Sequence, residues 1–129
     1  MKLMQDILKK LSLIVLTTLI AIGSLLLSSD TAMAATYTVK MGGDNGLLIF
    51  EPAKLSVKAG DTVEWIVNKS APHNVVFDGA AKSLSHSQLE MSPGSKFELQ
   101  VPADLAAGDY SFYCEPHRGA GMVGTLSVS

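Results

Sequence analysis

Beyond position 34 the chain alternates apolar and polar residues over short stretches broken by Gly, Pro and Asp, the pattern of half-buried strands separated by turns. Thr36–Met41 (TYTVKM) alternates with β-branched residues and runs into the turn signal Gly42-Gly43-Asp44-Asn45-Gly46. Leu47–Phe50 is a short apolar run ended by Glu51-Pro52, and Leu55 with Val57 predicts another strand before the turn at Gly60-Asp61. In Thr62–Asn68 the residues Val63, Trp65 and Val67 share one face, and Asn74–Phe77 (NVVF) follows directly on His73. Phe97, Leu99 and Val101 alternate again. Tyr110, Phe112 and Cys114 share a face opposite Ser111 and Tyr113, and Val123–Val128 is a final strand. Residues 79–90 (GAAKSLSHSQLE) lack alternation and predict one short helical turn or compact loop. The sum is an all-β sandwich of about eight strands without internal repeats.

The amino end obeys a different pattern. Lys2, Lys9 and Lys10 precede an uncharged run from Leu11 to Leu27, then come Ser28-Ser29-Asp30 and Ala32-Met33-Ala34. A basic start, an apolar middle and small residues one and three before a cut predict a secretory signal over residues 1–34, leaving a single domain over 35–129. The competing reading is a retained anchor, because the run approaches the lower limit of a spanning helix, about 17 residues. Ala-Met-Ala and the lack of basic residues after the run favour cleavage. Without a twin-arginine pair, a Sec-type export route is expected.

Composition sharpens this picture in two places. The 129 residues carry a net charge of −2 with only 10 basic residues, which leaves no electrostatic footprint for nucleic acid. There is one cysteine, so no internal disulfide can form, and a free thiol in an oxidising compartment is a liability unless something occupies it.

Four residues supply an occupant. Cys114, His117 and Met122 fall on one short loop within Tyr113-Cys114-Glu115-Pro116-His117-Arg118-Gly119-Ala120-Gly121-Met122, and His73 stands upstream in Ala71-Pro72-His73-Asn74. Singly, each has an ordinary explanation: a buried cysteine as a small hydrophobe, His73 as a loop histidine, Met122 as core filler. Together, a thiolate, two imidazoles and a thioether are the donor set of a blue-copper centre, trigonal with a weak axial methionine. Zinc accepts cysteine and histidine too, but the methionine fits it poorly. His86, in a polar stretch without ligand-like neighbours, is expected at the surface. No acid–base pair, nucleophile triad or phosphate loop is present, so an enzyme is not expected.

The loop from Cys114 to Gly124, together with Ala71–Asp78 and Gly42–Pro52, resembles the plastocyanin family, the copper carriers of oxygenic photosynthesis, over essentially all of the chain beyond the signal. The resemblance implies a cupredoxin-type Greek-key β-sandwich. It implies one copper ion held by His73, Cys114, His117 and Met122, cycling between Cu(II) and Cu(I), with Asn74 hydrogen-bonding around the cysteine. It also implies an apolar patch of Gly46, Leu47, Leu48, Pro72, Gly119 and Ala120 through which His117 presents its ring edge to partners. Tyr113 would lie on a second surface. Two consecutive leucines cannot both point inward from a regular strand, so at least one of Leu47 and Leu48 is expected outside.

Plant members carry acidic runs flanking that tyrosine, whereas Asp78-Gly79-Ala80-Ala81-Lys82-Ser83 holds one acid and one base. Arg118 instead resembles the basic docking residue of cyanobacterial members, and the stretch from Asp78 to Met91 is short for the family. The implied function is a monomeric shuttle taking electrons from cytochrome f of the cytochrome b6f complex to photosystem I. It would work in the thylakoid lumen, through transient contacts at the lumenal membrane surface, with the periplasm as the alternative compartment. The competing functions are a periplasmic copper-binding or copper-delivery protein and a respiratory shuttle of pseudoazurin or amicyanin type.

Overall fold

The computed structural model describes residues 1–12 and 32–129, which divide into two compact units, Met1–Met33 and Ala34–Ser129. In the first, residues 2–12 are helical with Leu3, Met4, Ile7, Leu8 and Leu11 exposed. Most of the uncharged run expected to form the signal's apolar middle lies outside the described residues. No described helix is long and apolar enough to cross a membrane.

The second unit holds nine strands: β1 (Thr36–Met41), β2 (Phe50–Glu51), β3 (Lys54–Val57), β4 (Thr62–Val67), β5 (His73–Phe77), β6 (His86–Glu90), β7 (Lys96–Gln100), β8 (Gly108–Tyr113) and β9 (Val123–Val128). They form a four-stranded sheet, β2-β1-β4-β7, and a five-stranded sheet, β3-β9-β8-β5-β6. β1 runs parallel to β4 from Thr36↔Thr62 to Met41↔Val67, and β3 runs parallel to β9, while the remaining pairs are antiparallel. Five of the eight connections between successive strands therefore cross between the sheets, and three join neighbours within one, as in a Greek-key sandwich.

Alternation decides which faces meet. Val63, Trp65 and Val67 of β4 are buried, as are Val39 and Met41 of β1, and these close on Val75, Phe77, Phe112 and Leu126 of the other sheet. Phe112 sits at the centre, its ring centroid 4.9 Å from Phe50, 5.0 Å from Trp65 and 5.3 Å from Phe77, mostly in edge-on contacts. Each such side chain contributes about 1.5–3 kcal/mol by leaving water, plus a further fraction from ring geometry.

The expected sandwich is present, with three differences of detail. Residues 79–90 divide: Gly79–Leu84 is the expected helical turn, of 3-10 type, but His86–Glu90 is a strand. It lacks alternation because it lies at a sheet edge, pairs only with β5 across an irregular register, and buries no side chain fully. A second 3-10 turn, Glu115–Ala120, adds to the single one expected. Of the Leu47–Phe50 run only Phe50 enters a strand.

His86 also differs from expectation. Its ring stacks on Phe97 at 3.7 Å with an interplanar angle of 11°, and Nε2 lies 2.9 Å from Glu90 Oε1. β6 thus fastens its edge to the neighbouring sheet through an imidazole that polar flanking residues disguised.

Candidate metal centre

The β8–β9 hairpin ends its ladder at Tyr113↔Val123, and the loop between carries Cys114, His117 and Met122. The register Val76↔Tyr113 and Phe77↔Phe112 lays β5 antiparallel to β8, so the start of β5, where His73 stands, lies alongside the residues just past Tyr113. Residues 41 positions apart meet because two ladders place them side by side.

The loop is bonded to itself. Cys114 N–H donates to the Met122 carbonyl at 3.1 Å, His117 N–H to the Cys114 carbonyl at 3.2 Å, and Met122 N–H to the His117 carbonyl at 3.2 Å. Pro116 presets the first turn, and Gly121, at φ 87°, ends it in the left-handed conformation that lets the chain turn back into β9. Donor positions on such a loop are set by backbone bonds rather than by side-chain preference.

Cys114 Sγ lies 3.6 Å from Nδ1 of His73 and 3.5 Å from Nδ1 of His117. One donor atom from each of the three residues falls within 4.8 Å of the others, and the two imidazoles stand 5.1 Å apart at 65°. Three donors placed trigonally around one ion, at about 2.0–2.1 Å for nitrogen and about 2.3 Å for sulfur, stand roughly 3.7 Å apart. The sulfur–nitrogen separations fit that figure.

The tautomer fits as well. His73 Nε2 is 2.7 Å from the Lys69 carbonyl, which can only accept, so Nε2 carries the proton and Nδ1 keeps a free lone pair toward the sulfur. Gly42 makes this anchor possible, since a Cβ there would collide with that carbonyl. Burial pulls the His73 imidazole below its ordinary pKa, against the Lys69 bond, with nearby His117 lowering it further. Burial pushes the Cys114 thiol up, while the backbone N–H groups of Asn74 and His117 pull it down. A cation is what would hold this sulfur as thiolate.

Asn74 ties the parts together. Its Oδ1 accepts the Glu115 N–H at 2.9 Å, and its Nδ2 donates to Glu115 Oε2 at 2.7 Å and to the Ser87 carbonyl at 3.1 Å. One fully buried amide thereby joins β5, β6 and the loop. Sequence reading placed Asn74 at the cysteine but missed Lys69, Ser87 and Glu115. The first two act through backbone carbonyls and leave no residue-type signal, whereas Glu115 could have been suspected from its place beside Cys114.

Cys114, His73 and Met122 have no exposed surface, and His117 alone of the four is partly exposed. Among the residues expected around it, Leu47 is 56% exposed while Leu48 packs partly against the core, so Leu47 is the outward member of the pair. Pro72 is partly buried, and Gly119 and Ala120 are exposed. Tyr113 is half-buried, with the Arg118 guanidinium 3.9 Å above its ring and 3.5 Å from Asp78.

A Greek-key sandwich that gathers a cysteine and two histidines at one end, with a methionine closing the same loop, is a cupredoxin. Residues 37–129 match the copper binding proteins of the plastocyanin/azurin family. The plastocyanin of Nostoc punctiforme is 55% identical over 137 residues, covering 99% of each chain, and that of Prochlorothrix hollandica is 44% identical, again over 99% of both. Among solved structures, a mutant plastocyanin of fern superposes with a TM-score of 0.62 at 34% identity, over 71% of this chain and 99% of its own. The chain belongs to the plastocyanin/azurin family: it is a copper electron carrier and not an enzyme.

Proposed function

We propose that His73, Cys114, His117 and Met122 hold the copper, and that the protein carries single electrons from cytochrome f of the cytochrome b6f complex to photosystem I. The observation that carries the ligand assignment is the approach of both Nδ1 atoms to Cys114 Sγ, at 3.6 and 3.5 Å. The partner assignment is supported by the full-length likeness to cyanobacterial plastocyanin. Bound copper supplies a site that gains or loses one electron. The chain supplies the rest. Lys69 fixes the His73 ring, the bonded loop spaces Cys114 and His117, and burial of three of the four residues keeps water from the donors. The partly exposed His117 gives the way in, and Leu47 and Ala120, which the family likeness assigns to the surface around it, are exposed.

Residues 1–34 act as a signal removed after Ala34, which delivers the domain to the thylakoid lumen. A shuttle needs brief contacts, so the interface belongs to the small class, below about 1,200 Å². The test is a Cu(II) titration of residues 35–129 followed by visible and EPR spectroscopy. An intense blue band that saturates at one copper per chain and bleaches with ascorbate is expected; a colourless or tetragonal Cu(II) complex overturns the ligand assignment. Flash-induced reduction of photosystem I then tests the partners. Fast blue-copper chemistry without reaction at photosystem I would shift the reading to a respiratory or copper-handling protein of the periplasm.

A further inference from the structure

Asp61 is a carboxylate that the copper centre does not use, and it is buried, with 4% of its surface exposed. It stands in the turn between β3 and β4. Its Oδ2 accepts the Lys58 N–H at 2.8 Å, and its Oδ1 accepts the Ala35 N–H at 2.8 Å. Ala35 is held on its other side too, because its carbonyl accepts the Thr62 N–H at 2.9 Å and the next residue, Thr36, begins the parallel ladder opposite Thr62. The group aimed at the buried carboxylate is therefore the backbone nitrogen of the residue that follows Ala32-Met33-Ala34.

As a peptide nitrogen, that atom offers Asp61 one proton and no charge. Once the 34–35 bond is cut, the same atom is a primary ammonium with three protons and a full positive charge. The geometry points to Asp61 as the seat of the Ala35 α-ammonium, so that removal of the leader installs an ion pair in a position already built for it. This inference rests on the reading that processing ends at Ala34.

The physical case is one of compensation. A buried carboxylate held by neutral N–H donors keeps an unpaired charge, and a counter-charge at hydrogen-bond distance lowers that cost. A backbone ammonium is a favourable partner because Ala35 is already ordered by the β1–β4 ladder, with no long side chain to immobilise. Among the described residues, the other charged group whose field reaches Asp61 is Lys58, while Gly60, Thr62 and Val101, bonded around the same turn, are uncharged. The domain is thus less stable with its leader attached than after processing.

The unit Ala34–Ser129 has its own core, and a solved fern plastocyanin matches 71% of this chain over 99% of its own length, so residues 35–129 are tested directly. Urea unfolding of the metal-free domain with a free Ala35 amine is compared with the same polypeptide Nα-acetylated, which keeps the N–H and removes the charge. Acetylation is expected to raise the unfolding equilibrium constant about fivefold at neutral pH, and Asp61→Asn to abolish that difference. Should Asp61→Asn fail to fold, NMR titration of the Ala35 amine in the wild-type domain decides, with a value above the ordinary range of about 7.7–8.0 expected. Equal midpoints for the free and acetylated forms, or an amine titrating in the ordinary range, overturn the seat. The mass of the exported protein separates the two failures: a start other than Ala35 removes the processing reading and the seat together, whereas equal midpoints at an Ala35 start remove the seat alone.

Discussion

Replacing Asn74 by alanine tests whether one amide holds the loop of candidate ligands to the sandwich. The side chain is fully buried and makes three hydrogen bonds: from the Glu115 N–H, to Glu115 Oε2 and to the Ser87 carbonyl. Two of these join neutral groups and contribute about 1 kcal/mol each; the bond to a carboxylate lies nearer 2 kcal/mol. Glu115 is exposed, so its freed oxygen regains water and about half of that last figure is recovered. The expected loss is about 3 kcal/mol, a lowering of the melting point by roughly 12–24 °C for a domain of this size. Urea unfolding of metal-free residues 35–129 measures it, with the slope unchanged because the surface exposed on unfolding is the same. Glu115→Ala removes only the carboxylate bond and should cost about 1 kcal/mol. Asn74→Asp keeps the acceptor for the Glu115 N–H but sets a second carboxylate against Glu115 and the Ser87 carbonyl, so it should destabilise at least as much as alanine. A loss below about 1 kcal/mol for Asn74→Ala would refute the claim that this amide joins the three elements.

Three further outcomes follow from the same contacts. Phe112→Ala empties the centre of the aromatic cluster against Phe50, Trp65 and Phe77 and should cost about 3–5 kcal/mol by denaturant unfolding; a loss under 1.5 kcal/mol would mean the sheets close over the gap. Asp61 is held below the usual carboxylate range by the N–H groups of Lys58 and Ala35, and Glu90 by the Ser95 hydroxyl and His86. Their stabilisation is therefore complete above the unfolded value, near pH 4, and lost as pH falls through the folded values; unfolding curves that do not weaken between pH 6 and pH 3 would contradict this. Arg118→Glu reverses an exposed charge stacked on Tyr113, and should slow electron transfer to photosystem I about tenfold at low salt while the blue spectrum stays intact. Equal rates would remove Arg118 from the docking surface.

What could be read in advance was whatever depends on local order. β4 and β9 were legible because alternation puts Val63, Trp65 and Val67, or Leu126 and Val128, on a buried face. The four candidate ligands were legible because three of them crowd one loop and the fourth opens a strand. β6 was not legible: an edge strand that buries no side chain fully gives periodicity nothing to detect. Nor were Lys69 and Ser87, whose contributions come from carbonyls that any residue carries, placed by the register of distant strands. Asp61 read as an ordinary turn acid beside Gly60, because its partner in the ladder lies 26 positions away. Arg118 was found as a charge, but its ion pair with Asp78 depends on the fold bringing the 3-10 turn to the end of β5.

The division of labour among these residues explains why the site suits electron transfer. A donor set serves a one-electron carrier best when it moves little between oxidation states, and movement here is opposed on two sides. Within the loop, the Cys114–Met122, His117–Cys114 and Met122–His117 backbone bonds fix three of the residues relative to one another. From outside, Lys69 fixes the His73 ring and Asn74 fixes the loop against β5 and β6. Neither constraint uses a donor atom, so both act whichever oxidation state a bound ion holds. With His73, Cys114 and Met122 fully buried, no substrate reaches those donors from solvent. His117 is the one of the four candidate ligands that reaches the surface, which under the proposed function makes it the short route for an electron to a docked partner.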